Sequence, residues 1–107
     1  MSDLKLDPKH AAIAVIDLQK GIASLQGGAP HSVATVIANC ARLLSAARRA
    51  GAQPVLVHVG GSADAADRLH PAAGQSIRSA TPLPSDWSEL IPELDRQPGD
   101  IVSLKRQ

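Results

Sequence analysis

Two ionisable side chains stand where apolar, strand-like runs end. Asp17 closes Ala12-Ile13-Ala14-Val15-Ile16, and Lys105 closes Ile101-Val102-Ser103-Leu104. An open α/β sheet builds its sites at the carboxyl ends of its strands, so a carboxylate and an ammonium delivered this way are candidates for one polar site. The sequence ends at Gln107, two residues past the lysine, and a third chemical group is expected from outside it. Spacing alone also permits plainer readings. Asp17 can be a carboxylate that accepts backbone N–H bonds at a strand-to-loop turn, and Lys105 a solvated lysine near a chain end. Gln19 can orient a substrate or Asp17, or make a loop-forming hydrogen bond.

The elements that must position these groups follow from the hydropathy pattern. Residues 12–18 form an apolar run rich in Ile and Val, the pattern of a central parallel strand covered on both faces. Residues 1–10 are polar and read as a lead-in, and residues 21–30, with Gly27-Gly28-Ala29-Pro30, read as a loop. Ser32 can cap a helix whose apolar positions Val33, Val36, Ile37, Cys40, Leu44 and Ala47 fall on one face. Arg48 and Arg49 suit its last turn, where cations favour the dipole, and Gly51 supplies the left-handed stop. Val55-Leu56-Val57-His58-Val59 then completes a strand–helix–strand unit. Residues 60–84 lose the pattern and read as an active-site loop or a poorly ordered segment. Ser85 can cap one helical turn through Leu90, limited by Pro92, and Gln97-Pro98-Gly99-Asp100 is a turn into the last strand.

Composition sets the bounds. At 107 residues the chain is at most one ordinary domain, and with 44% apolar residues, one Trp and no Phe or Tyr its core must be built from Ala, Val, Ile and Leu. Eleven Lys plus Arg against ten Asp plus Glu give a net charge of +1 with no long block of either sign, a balance that asks for neither nucleic acid nor an anionic membrane. The first apolar run is too short for a signal peptide or a membrane span, so a cytoplasmic protein is expected. The single Cys40 excludes an intramolecular disulfide and a multi-cysteine metal site.

Four pieces arrive in the order seen in the isochorismatase-like hydrolases, the cysteine hydrolase or nicotinamidase-related superfamily, which the chain resembles. They are Ala-Val-Ile-Asp-Leu-Gln at 14–19, the helix end Arg48-Arg49-Ala50-Gly51, the strand Pro54-Val55-Leu56-Val57-His58-Val59, and Pro98-Gly99-Asp100-Ile101-Val102-Ser103-Leu104-Lys105-Arg106. The resemblance covers nearly all of residues 1–107 and corresponds to the N-terminal portion of such a domain. It implies a Rossmann-like three-layer α/β/α fold with a parallel sheet, about three strands of which lie here. It also implies hydrolysis of a C–N amide or related bond of a small molecule by a cysteine nucleophile that lies outside this chain. By position, Asp17 resembles the family's general base and Lys105 the lysine that pairs with base and nucleophile. A thiol of pKa about 8.5 is only partly ionised at neutral pH, so a base and a nearby cation both raise its reactivity. The family's oxyanion donors would also lie in the later portion.

Cys40 sits on the apolar helix face and is expected to be an inert core thiol rather than the nucleophile. Some nicotinamidases hold a metal through an Asp-x-His motif after the second strand. Gly60-Gly61-Ser62-Ala63-Asp64 lacks it, so neither His58 nor His70 is expected to bind a metal, and no cofactor is expected. His10 and His31 flank loops and are expected to be solvated. Gly27-Gly28 and Gly60-Gly61 are pairs, not a phosphate-binding fingerprint. The rival reading is a non-catalytic α/β binding or scaffold module, because the chain also resembles a branch of the superfamily in which glycine can occupy the nucleophile position. A homo-oligomer is expected, since the first strand of the family pairs with a later one and would otherwise leave an apolar edge.

Overall fold

The computed structural model describes residues 3–25, 27–61 and 84–106. A 3-10 turn at Pro8–His10 leads into strand β1 (Ala12–Ile16), the one-turn helix α1 (Lys20–Ala23), the long helix α2 (Val33–Ala50) and strand β2 (Gln53–Val59). A second 3-10 turn at Pro92–Leu94 precedes strand β3 (Ile101–Lys105). All three strands are parallel, in the order β1-β2-β3. Parallel neighbours cannot be joined by a tight turn, and α2 is the crossover that returns the chain from the end of β1 to the start of β2.

The ends of α2 follow the sequence closely. The Ser32 side chain accepts the Thr35 N–H at 3.2 Å, and Gly51, at φ 88°, closes the helix by donating its N–H to the carbonyls of Ala47 and Arg48. Leu44 from this helix is completely buried and packs with Val15, Leu18, Leu56, Ile91 and Leu94 to form the core. Ile37 and Cys40 line the margin of that core, so Cys40 is half-buried rather than fully enclosed. Val36, whose spacing suggests the buried face, is exposed. The helix covers the sheet face that carries Ile13, Val15, Leu56 and Val102.

The remaining differences from the sequence reading have local causes. β1 lies at one edge of the described sheet and β2 at its centre, which agrees with the apolar edge expected where the later strand of the family is not beside β1. The continuous apolar run of β1 asks for cover on both faces, yet its Ile16 is 56% exposed, and Ile101 of β3 on the same face is 52% exposed. Among the described residues the second helical layer of a three-layer arrangement has no counterpart. Residues 20–23 form a helical turn where a loop is expected, because Gln19 offers its carbonyl to the N–H groups of Ile22 and Ala23 at 3.1 and 2.8 Å. Residues 85–88 form turns rather than a helix. Pro92 starts the Pro92–Leu94 turn instead of limiting an earlier helix, as its missing N–H and fixed φ allow at a first helical position. The loop expected at 60–84 and His70 fall mainly or wholly outside the described residues.

Candidate active site

Asp17 is the first residue after β1. Its N–H still belongs to the sheet, donating to the Val57 carbonyl at 2.9 Å. Its φ of 66° then takes the chain out of the strand, a left-handed conformation that short polar side chains adopt at a cost of about 1–2 kcal/mol. On the far side of β2, the last residue of β3 is Lys105, paired in register with Val59. Its ammonium reaches back over β2 to the Asp17 carboxylate, with Nζ 3.2 Å from Oδ1 and 3.4 Å from Oδ2. The two side chains, 88 residues apart in sequence, meet at the carboxyl edge of the sheet. Both are partly open to solvent, at 36% and 40% of their side-chain surface. Within this half-open carboxylate, Oδ1 is shielded and receives no hydrogen bond among the described residues.

Gln19 is the completely buried polar residue beside this pair. Its side-chain Oε1 accepts the Val59 N–H at 2.7 Å, and its Nε2 donates to the Val59 carbonyl at 2.9 Å and to that of Trp87 at 3.3 Å. The stretch from Leu18 to Gly21 is then stitched to the segment before β3. The Leu18 carbonyl accepts from Ile91, Lys20 donates to Glu89, and Gly21 donates to Trp87, at 3.2, 2.8 and 2.8 Å. Gly21 is required by this approach, since a Cβ there would lie 2.9 Å from the Trp87 Cβ and 3.0 Å from its carbonyl oxygen. His58, on β2, contributes from the covered face. Its Nδ1 lies 2.5 Å from the Ser88 carbonyl, which makes Nδ1 the protonated nitrogen. The exposed Lys20 ammonium pairs with Glu89 and Asp86 at 2.9 and 3.3 Å, which hold it above the usual lysine range.

A second ion pair fixes the other end of β3. Arg48, in the last turn of α2, donates from Nε and Nη2 to the two oxygens of Asp100 at 3.2 and 2.5 Å, and from Nη2 to the Leu94 carbonyl at 3.2 Å. Asp100 is nearly enclosed, with 2% of its side chain exposed against 20% for Arg48. The hydrogen bonds from Arg48 lower its pKa against the opposing effect of burial, and the Gln97 N–H adds to them. Two of the sequence landmarks, the helix end at Arg48 and the turn at Asp100, are therefore one contact.

Of the residues singled out by sequence, Asp17 and Lys105 come together and Gln19 lies directly behind them. Cys40 lies on α2, whose contacts are with the core. His31 is exposed, and His10 is exposed but bonded to Asp7 at 2.8 Å. Among the described residues no group of three or more His, Cys, Asp and Glu side chains is arranged to hold a metal, and no helix is long and apolar enough to cross a membrane. The Arg48–Asp100 and His58–Ser88 contacts escape a sequence reading. Arg48 has a sufficient local reason to be where it is, and nothing in the spacing names a partner 52 residues away.

Comparison with known proteins bears on this geometry. The model of the isochorismatase domain matches residues 11–107. The isochorismatase family protein YecD of Escherichia coli O157:H7 is 42% identical over 108 residues, a match covering 97% of this chain and 54% of that protein. The isochorismatase family protein YwoC of Bacillus subtilis (strain 168) is 33% identical over 109 residues, covering 100% of this chain and 54% of that protein. The solved structure of an isochorismatase family protein from Burkholderia thailandensis superposes with a TM-score of 0.79 at 34% identity, over 95% of this chain and 52% of that one. An isochorismatase from Pseudomonas putida KT2440 superposes with a TM-score of 0.61 at 28% identity, over 99% of this chain and 47% of that one. The chain thus spans about half the length of the curated relatives it matches.

Proposed function

Because this chain belongs to the isochorismatase family, we propose that Asp17 and Lys105 are the base and the cation of a cysteine hydrolase that cleaves a C–N amide or related bond in a small molecule. The observation that carries the proposal is the Lys105–Asp17 contact at the carboxyl edge of the sheet, 3.2 Å across β2. Asp17 Oδ1, 3.2 Å from the ammonium, is shielded from solvent and accepts no hydrogen bond among the described residues, which leaves a lone pair open to a proton. The nucleophile lies outside residues 1–107. Asp17 takes the proton of its thiol, and the thiolate attacks the substrate carbonyl. The tetrahedral adduct collapses to a thioester as the amine leaves with the proton held by Asp17. Water, deprotonated by the same carboxylate, then releases the acid and regenerates the thiol. Lys105 places a positive charge beside the attacking thiolate.

The same proposal includes a cytoplasmic homo-oligomer acting on a small molecule. The exposed apolar positions Ile16 and Ile101 on the open sheet face support association with further protein surface.

The test uses the protein expressed from its own coding region. Asp17→Asn and Lys105→Met are each expected to lower kcat/KM toward small amides by roughly 10²–10⁴-fold, the range of a positioned proton-transfer group. Mass spectrometry should trap a covalent adduct on a cysteine other than Cys40. Turnover that survives Asp17→Ala would refute the base. Absence of both turnover and any reactive thiol would replace the proposal with a non-catalytic module of the same fold.

A further inference from the structure

The hydrogen bonds around Val59 identify a third functional residue. In a parallel ladder, a residue whose N–H bonds to one strand neighbour offers its own carbonyl to the neighbour two positions further on. Asp17 donates its N–H to the Val57 carbonyl, so continuation of the ladder would place the Asp17 carbonyl on the Val59 N–H. That N–H goes instead to Gln19 Oε1, and the Val59 carbonyl accepts from Gln19 Nε2. One side-chain amide thus takes the place of two main-chain groups, the Asp17 carbonyl and the Gln19 N–H, that would have extended β1 along Val59. The Asp17 carbonyl is released from the sheet, and the residue is free to turn to φ 66°.

This exchange decides which way the carboxylate faces. Side chains alternate along a strand, so an extended Asp17 would share the face of Ile13 and Val15, which α2 covers. Lys105 is in register with Val59, and Val57 is in register with Ile16, which puts Lys105 on the opposite, open face. Only by leaving the strand at residue 17 does the carboxylate meet the ammonium.

We propose that Gln19 is a positioning residue: its buried amide substitutes for the Asp17 carbonyl in the β1–β2 ladder and so holds Asp17 in the left-handed conformation that brings its carboxylate to Lys105. The role rests on the reading of Asp17 as the reacting base. Its test reads backbone geometry rather than turnover, so loss of that reading and loss of this one are separate results.

Three NMR measurements on the protein expressed from its own coding region test it. In the unaltered protein, a scalar coupling across the hydrogen bond should link the Val59 amide nitrogen to the Gln19 side-chain carbonyl carbon. In Gln19→Met, which keeps the length and removes donor and acceptor, the Val59 amide should exchange roughly tenfold faster, as when one buried hydrogen bond loses its partner. The couplings and carbon shifts of residue 17 should move from left-handed to extended values. In Gln19→Glu, a neutral carboxyl supplies both a C=O and an O–H to Val59, so acid pH should restore the left-handed signature and ionisation should remove it, a pH dependence that Gln19→Met lacks. A Val59 coupling to the Asp17 carbonyl carbon in the unaltered protein overturns the proposal whether or not either variant folds. So does a folded Gln19→Met chain in which residue 17 stays left-handed beside Lys105.

Discussion

Breaking the Arg48–Asp100 pair from either side should cost different amounts, and the difference follows from burial. Arg48→Met leaves the Asp100 carboxylate, 2% exposed, with only the Gln97 N–H as a hydrogen-bond donor among the described residues. A buried charge stripped of its partner typically costs about 3–5 kcal/mol, a large share of the roughly 5–15 kcal/mol that holds a domain together. Asp100→Asn keeps an acceptor for Gln97 and leaves behind a guanidinium that is 20% exposed and still bonded to the Leu94 carbonyl. Its cost should be about 1.5–3 kcal/mol, that of a charged hydrogen bond. Equilibrium urea unfolding of both single variants and the double variant measures the two costs and their coupling. The pH dependence supplies an independent check. Asp100 has a lowered pKa in the folded chain, so its contribution is complete above the unfolded carboxylate value of about 3.9. It disappears as pH falls through the folded value, and Asp100→Asn should lack that part of the acid destabilisation. An Arg48→Met cost below about 1 kcal/mol, or one smaller than that of Asp100→Asn, would refute the argument from burial.

Two further substitutions test the backbone around the site. Asp17→Gly should be more stable than Asp17→Ala by about 1 kcal/mol in urea unfolding, because both lose the carboxylate but only alanine bears the left-handed penalty at φ 66°; equal stabilities would mean that residue 17 is not held there. Gly21→Ala should cost about 1–3 kcal/mol by forcing a methyl group against Trp87. As the chain has one Trp, the fluorescence of Trp87 reports that displacement directly, and an unchanged emission maximum with unchanged stability would exclude the close approach.

Sequence patterns revealed those features whose causes are local. The Ser32 cap, the Gly51 stop and the spacing of Ile37, Cys40 and Leu44 define α2 because each acts within a turn or two of its own position. The continuous apolar runs found all three strands, and the family resemblance, not the spacing, implied that Asp17 and Lys105 are partners. The place of β1 is not carried by its own run in the same way; the resemblance, which pairs it with a later strand, implies the open edge seen among the described strands. An apolar run states that a strand wants cover, whereas its place in the sheet depends on which strands pair beside it. The helical turn at 20–23 was hidden for a related reason. Gly21 reads locally as a breaker, but its value lies in the absence of a side chain facing Trp87, 66 residues further along the chain.

For Gln19 the sequence leaves three roles open, orienting a substrate, orienting Asp17 or making a loop-forming hydrogen bond, and only the structure separates them. A glutamine two positions after an aspartate invites assignment to the substrate, yet both ends of its amide are occupied by the protein. Two of its bonds replace rungs that an extended residue 17 would make, but the bond to Trp87 and the three main-chain bonds joining Leu18, Lys20 and Gly21 to residues 87–91 are additional. At about 0.5–1.5 kcal/mol each they are enough to offset the roughly 1–2 kcal/mol of a left-handed aspartate. The conformation at residue 17 therefore needs no contribution from Lys105, whose contact with the carboxylate is long and half-solvated and worth at most about 1 kcal/mol. The ion pair is then a consequence of the backbone arrangement rather than its cause. Lys105 remains free to exchange Asp17 for another anion at the same edge without the sheet having to move. On the proposed function, a cation that serves a base and a nucleophile in turn is better held by its strand than by either of them. The register of Lys105 with Val59, and the Gly60 N–H bonded to the Lys105 carbonyl at 2.9 Å, provide that hold.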